Sequence, residues 1–356
     1  MLLQSSIIPP DIELVIPGNL GFFELLIVVS FLLHIIFVNI TIGSSAMAVF
    51  QEIKGMRTKK REDDLLALQL ATHTSILKSI AVVLGVAPLL LISVIYTQYF
   101  YPSTILIGKA WLSLLLILIV AFLLLYMYKF MWDKMSENPN KKRLHVVIGS
   151  VGTLLLLFVP LIFIVNVVSM LYPTMWEGAN GFFHSLFYYP QIWPRYGHFL
   201  LASFAVSGFY LYFWNNRLQK KTNDIDEITG KMMQQGKRLG LQVMIGTTVL
   251  QFALGFILLF SFDRDIRMLY LGDDFLLTTL LVISLVTTAV LVYLLYLLMI
   301  RDKRKYFILS LSTFVLIIGV MGWMRHELRE SYLNPYLDEV TRTTQVEEVE
   351  TFVQDE

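Results

Sequence analysis

Six histidines, His34, His73, His145, His184, His198 and His326, are the side chains in this 356-residue sequence best suited to hold a metal ion or carry a proton. A neutral imidazole ligates iron, copper or zinc through one ring nitrogen, and its charge changes near pH 6.5. The acids that usually accompany such chemistry are missing from the long apolar runs, where only Glu24 lies near one end of the first. Cysteine is absent, so disulfides, iron–sulfur clusters, thiolate metal sites and thioether-anchored cofactors are excluded.

A second concentration of ligand chemistry is Gly322-Trp323-Met324-Arg325-His326-Glu327-Leu328-Arg329-Glu330. Two helical turns here carry two candidate ligands, His326 and Glu327. They also carry Arg325 and Arg329, whose fork-shaped guanidinium groups suit carboxylates such as haem propionates. A charged helix end meeting water has the same composition, so the segment gains weight from lying at the same membrane level as His198.

These side chains must be positioned by a membrane bundle. With 56% hydrophobic residues, 15% charged residues and a mean hydropathy of +0.66, the chain carries too little charge to coat a soluble globule. Soluble enzymes and nucleic-acid binders are excluded, and the surrounding partner is the lipid bilayer. Apolar stretches near residues 22–50, 75–99, 104–130, 145–172, 197–214, 239–261, 275–299 and 305–325 predict an all-α polytopic bundle of about eight transmembrane helices. Twenty of the 28 Lys and Arg fall in alternate connections, 51–73, 129–144, 215–238 and 301–305. The positive-inside rule then puts these loops in the cytoplasm and both termini outside, in a multi-pass protein of the inner (cytoplasmic) membrane.

No basic n-region with a small-residue cleavage site opens the chain, so no cleavable signal peptide is expected. Tyr172–Trp176 and Tyr188–Pro194 are expected to lie at the interface, with Pro190 and Pro194 interrupting any continuous helix. Residues 1–337 are expected to form one transmembrane bundle, followed by an acidic mobile tail over 338–356.

On this topology His34 lies within the first span, His184, His198 and His326 toward the outer side, and His73 and His145 at inner helix ends. A membrane-buried imidazole needs a partner. Two readings are open: a carbonyl on a neighbouring helix, or the iron of a porphyrin, whose apolar body suits a helix bundle. Lys78 and Lys109 are expected to snorkel toward water. Asn39, Asn166 and Gln251 are expected to bond between helices. The lack of carboxylates between the interfaces of the apolar spans and of an internal repeat argues against a proton-coupled transporter or cation channel.

The stretch His34-Ile35-Ile36-Phe37-Val38-Asn39-Ile40-Thr41-Ile42-Gly43 resembles the first helix of subunit I of cytochrome bd quinol oxidases, which reads His-Phe-Leu-Phe-Val-Pro-Leu-Thr-Leu-Gly. Val83–Ala87 and Leu144–Asn166 are similar to the family's second and fourth helices, and His198–Gly208 to its fifth. Gly322-Trp323 with Glu327 resembles its Gly-Trp-x-x-x-Glu. These short motifs cover about two thirds of the chain.

The resemblance implies that His34 ligates a high-spin haem, His198 a low-spin haem b and Glu327 a second high-spin haem, with Trp323 beside the porphyrins. Two or three haems b are implied, one of which a chlorin-type haem d replaces in the family. His326, His184 and Met268 are further candidate ligands, the last two as second ligand to the low-spin haem.

The sequence departs from the family in several places. Ile105–Trp111 has no counterpart of the glutamate pair that delivers protons, and the quinol-binding loop shrinks to Ser261–Asp274. The last motif continues Glu327-Leu328-Arg329-Glu330-Ser331-Tyr332 instead of Glu-x-Gly-Arg-Gln-Pro-Trp. The expectation is a short, divergent relative: a respiratory oxidoreductase subunit taking electrons from a quinol or cytochrome c-type donor, with a second membrane subunit and O2 as a candidate acceptor. The alternative is a haem-free scaffold or transporter subunit.

Overall fold

The computed structural model describes the backbone of residues 20–136, 139–221 and 225–354, and side chains over 21–135, 141–221 and 225–336. Among these residues every regular element is helical. The α-helices run α1 (Leu20–Thr58), α2 (Arg61–Ile95), α3 (Thr97–Leu106), α4 (Gly108–Phe130), α5 (Trp132–Ser136), α6 (Pro139–Leu171), α7 (Gly181–Tyr188), α8 (Ile192–Lys221), α9 (Glu227–Phe260), α10 (Arg264–Met268), α11 (Phe275–Arg301) and α12 (Arg304–Gln354). A 3₁₀ turn, Pro173–Gly178, precedes α7, and a π-type turn, Leu269–Asp273, precedes α11.

Seven of the long helices, α1, α2, α4, α6, α9, α11 and α12, are long and apolar enough to cross a membrane. The eighth expected span lies in α8, whose 30 residues are also long enough. Its apolarity is diluted by Trp193-Pro194-Arg195-Tyr196 at one end and Asn215-Asn216-Arg217 at the other. The third expected span, 104–130, is divided: the helix breaks at Ile107 (φ −111°, ψ 24°), so its start belongs to the short α3. The aromatic stretch 172–196 is interrupted by the 3₁₀ turn and, next to Pro190, by Gln191 in a left-handed conformation (φ +69°), whereas Pro194 falls in the first turn of α8 and does not interrupt it. The acidic tail 338–356 lies outside the residues whose side chains are described.

Local chemistry sets the helix ends. Asp226 accepts from the backbone N–H of Thr229 at 2.8 Å to start α9, and Asp274 from that of Leu277 at 2.7 Å to start α11, caps worth about 1 kcal/mol each. The opening Glu62, Asp63 and Asp64 of α2 oppose its dipole. Asp63 also takes Lys54 at 2.7 Å and Thr58 at 2.7 Å across the α1–α2 turn.

The long helices pair as hairpins, α1 with α2, α4 with α6, α8 with α9 and α11 with α12, and α1 packs against α8 and α6. The α1–α8 contact is close because Gly43 has no side chain: a Cβ there would lie 2.3 Å from the Ser203 carbonyl oxygen. Asn39 makes its expected interhelical bond at this contact, its Oδ1 accepting from Ser203 Oγ at 2.9 Å. Ser207 Oγ adds a bond to the Asn39 carbonyl at 3.0 Å. The Asn166 amide nitrogen, by contrast, is buried without a partner among the described residues.

Lys78 does not snorkel. It is buried, with its ammonium 3.1 Å from the Tyr126 ring centre and 4.5 Å from that of Phe122, because α4 covers it before the stem reaches water. Lys109 is exposed.

Candidate cofactor site

His34 sits on α1 with its ring against α2. Its Nδ1 is 2.8 Å from the carbonyl oxygen of Ala81, and a carbonyl only accepts, so the proton is on Nδ1 and Nε2 keeps a bare lone pair. The ring fits because residue 85 is glycine: a Cβ there would lie 2.7 Å from His34 Cε1. The neighbouring-helix carbonyl, one of the two partners the sequence leaves open, is thus present at Nδ1, and Nε2 is left basic, an arrangement that also suits a histidine to metal ligation.

His198, in the first two turns of α8, is half-buried, and its Nδ1 is fully buried with no partner among the described residues. Leaving such a nitrogen unsatisfied costs about 1–3 kcal/mol, so the position favours a group that takes up the ring. The two candidate second ligands lie on other elements. His184 is exposed on α7, where its Nδ1 accepts from the backbone N–H of Asn180 at 3.3 Å and its ring rests 4.9 Å from Tyr188. Met268, at the end of α10, is 37% exposed.

On α12, Trp323 and His326 are neighbours, with ring centres 5.4 Å apart. His326 is buried, and its Nδ1 accepts from Arg329 at 2.7 Å. A guanidinium only donates, so the proton sits on Nε2, which faces Glu24 of α1 at 3.9 Å. Both nitrogens are thus engaged within the protein, and His326 offers no free lone pair. Arg329 also approaches Glu330 at 3.6 Å and lies 4.1 Å from the Tyr96 ring centre, while the Tyr96 hydroxyl donates to Glu330. Sequence reasoning missed Glu24, Tyr96 and Glu330 as members of this cluster. Glu327, about 100° further round the helix, is half-buried, with no hydrogen bond or ion pair on its carboxylate among the described residues.

Arg325 and Arg329 line one cavity with a third guanidinium, Arg195 of α8, which the sequence reading left in a loop. Gln191 holds Arg195 in place: its Oε1 accepts from Arg195 Nε at 3.0 Å and from NH2 at 2.6 Å. Its Nε2 donates to the Tyr332 hydroxyl at 2.8 Å and to that of Tyr172 at 2.5 Å. The left-handed backbone at Gln191 turns the amide into this network, and the i, i+4 spacing to Arg195 was its one visible signal in sequence. Arg325, exposed, stacks 4.0 Å from the Phe31 ring centre. Only Arg329 of the three has a carboxylate partner among the described residues. The cavity is about 20 Å³, room for one water molecule, so a porphyrin edge enters between these helices only as they separate.

Of the two inner histidines, His145 has both ring nitrogens occupied, while the Nδ1 of His73, like that of His198, is buried with no partner among the described residues. His145 of α6 has Nε2 on the Tyr128 carbonyl at 2.6 Å and Nδ1 on Glu52 at 2.8 Å, and its ring stacks 4.5 Å from Tyr128. His73 is buried edge-on against Trp214 at 4.6 Å and Tyr210 at 5.5 Å. No group of three or more His, Asp or Glu is gathered around one point among the described residues. The donor set therefore fits single axial ligation, by His34 and His198, better than a multidentate metal centre.

No protein-family model matches the chain, and no curated protein matches it. Among solved structures it is similar to the bd oxidase of Geobacillus thermodenitrificans, with a TM-score of 0.55 and 14% identity over 88% of this chain and 85% of that one. A likeness at this identity concerns the fold: the chain is a multi-pass helical membrane bundle with the fold of a bd oxidase chain.

Proposed function

We propose that the chain is a haem b-binding electron-transfer subunit of a membrane respiratory oxidoreductase. His34 and His198 are the axial ligands, and Glu327 is the ligand to a further haem. The observation that carries this reading is the His34 ring, held by the Ala81 carbonyl and seated on Gly85 with Nε2 left basic. The unpartnered Nδ1 of His198, the uncommitted carboxylate of Glu327 and the motif resemblance point the same way. His326, with both nitrogens occupied, is assigned to holding Arg329 and Glu24.

Haem would supply reversible one-electron chemistry at these ligands. The chain's own residues orient and shield: Ala81 fixes the tautomer of His34, Gly85 admits its ring, and Trp323 covers His326. Arg195 and Arg325, without carboxylate partners among the described residues, would receive propionates and stabilise the reduced state. Electrons would come from a quinol or a cytochrome c-type donor, and a second membrane subunit would complete the complex. The bd-like fold supports that assembly and makes O2 a candidate acceptor.

A haem-free scaffold or transporter subunit is the second reading, favoured by the water-sized cavity between the arginines and by the direct Asn39–Ser203 bond. A dithionite-reduced minus air-oxidised spectrum of the detergent-purified protein separates the two readings, with pyridine haemochrome quantification and carbon monoxide addition. Haem b that falls in both His34→Ala and His198→Ala is the expected result. A colourless protein after ample haem supply would leave the scaffold or transporter reading.

A further inference from the structure

At the opposite, basic-loop end, four helix ends converge on a cavity of about 270 Å³. It is more than ten times the size of the cavity between the arginines. The end of α8 contributes Tyr212, Asn216, Gln219 and Lys220, the start of α9 contributes Lys237, and the α11–α12 turn contributes Asp302, Arg304 and Phe307. Lys220, Lys237 and Arg304 bring three positive charges against one carboxylate. That carboxylate is already engaged on both oxygens, by Lys237 at 2.5 Å and by the Tyr212 hydroxyl at 2.8 Å. Asp302 itself is held in a left-handed conformation (φ +41°), which turns the chain tightly enough to bring Arg304 back over the cavity. Lys220 and Arg304 make no hydrogen bond or ion pair with any described residue, and Lys220 acts on Asp302 through its charge alone.

The wall below is apolar and faces outward. Phe307 lines the cavity, and beyond it Ile308, Leu311 and Val315 form an exposed stripe along α12. Tyr293, Tyr296 and Ile300 form a matching exposed stripe on α11 that ends at the same level. A positive, amide-lined pocket at the top of two exposed apolar stripes has the layout of a phospholipid: an anionic headgroup above and acyl chains below.

We propose that this cavity binds a phosphate group, and that its source is an anionic phospholipid of the basic-loop leaflet. Lys220, Lys237 and Arg304 take the phosphate, the Asn216 and Gln219 amides take headgroup hydroxyls, and the acyl chains run along the α11 and α12 stripes. A cation in contact with the bound headgroup is expected to strengthen its attachment about fivefold. The site lies at the end of the bundle away from His34 and His198 and does not depend on haem.

The test is native mass spectrometry of the full chain, delipidated in neutral detergent, with dioleoyl phosphatidylglycerol, dioleoyl phosphatidylcholine or inorganic phosphate added. Phosphatidylglycerol should be retained and phosphatidylcholine should not. The Lys220→Ala/Arg304→Ala double variant should lose about 25-fold in phosphatidylglycerol retention. Lys303→Ala/Lys305→Ala, which removes equal charge beside the cavity, should change it less than about threefold. Equal losses in the two double variants would overturn the site in favour of diffuse surface charge. Displacement of phosphatidylglycerol by millimolar inorganic phosphate would overturn the lipid as source in favour of a soluble anion. A Lys220→Glu variant that keeps wild-type retention would likewise overturn the assignment.

Discussion

His145 of α6 and Glu52 of α1 share one proton. Nε2 of His145 must carry a hydrogen to reach the Tyr128 carbonyl at 2.6 Å, so the proton at the 2.8 Å contact lies either on Nδ1, making an ion pair, or on Glu52, making a neutral pair. Either way the contact pairs His145 Nδ1 with Glu52 Oε1 where both side chains are almost completely enclosed, while Glu52 Oε2 is buried with no partner among the described residues.

His145→Ala should therefore destabilise the bundle by about 3–5 kcal/mol, because it strands a buried carboxylate. Adding Glu52→Leu should restore most of the loss. Thermal unfolding of the purified protein reads both, and a double variant no better than the single would show that the pair is not the source of the cost.

Gly85→Ala should displace the His34 ring, since the new methyl would lie 2.7 Å from Cε1. Overpacking of this kind costs about 1–3 kcal/mol. On the proposed function it also shifts or removes one haem signal while leaving the His198 haem. Gly246→Ala, which meets nothing within 4 Å, is the control. An unchanged reduced-minus-oxidised spectrum in Gly85→Ala would count against His34 as a ligand.

At the α1–α8 contact, space outweighs hydrogen bonding. Asn39→Ala removes one interhelical bond, worth about 0.6 kcal/mol on average in a membrane bundle. Gly43→Ala pushes a Cβ to within 2.3 Å of the Ser203 carbonyl and must part the helices. Gly43→Ala should lower the melting temperature by several times the Asn39→Ala shift. The reverse order would mean that polar bonding, not close approach, holds the pair.

Asp302 carries a pH dependence. Burial would raise its carboxyl, but the hydrogen bonds and charge of Lys237, with the Tyr212 hydroxyl, outweigh it and hold the group below its ordinary 3.8. A folded value below the unfolded one stabilises fully above the unfolded value, and the contribution is lost as pH falls through the folded one. Asp302→Asn, which still tolerates the left-handed backbone, should melt lower at pH 7. The gap to wild type should close below about pH 4, as seen in a pH series of thermal melts.

The bundle was legible because apolar length and the break beside Pro190 are local properties of the chain. His34 could be assigned to a long apolar helix for the same reason. The cluster around His326 was not legible: Glu24 and His326 lie 302 positions apart in sequence, and only the meeting of α1 with α12 joins them. Arg195 was hidden by the left-handed turn at Gln191, which reverses the direction suggested by a proline-rich loop. Lys78 misled because its distance from the helix end gives no hint that α4 lies over it.

The seating of His34 also has a mechanical side. Its anchor at Ala81 and its clearance at Gly85 belong to one turn of α2, while the imidazole rides on α1. Sliding α1 along α2 by a full turn, about 5.4 Å, would break the 2.8 Å anchor and carry the ring off the glycine gap. The imidazole thus works as a displacement gauge, converting the axial position of one helix against another into the orientation of a single nitrogen lone pair.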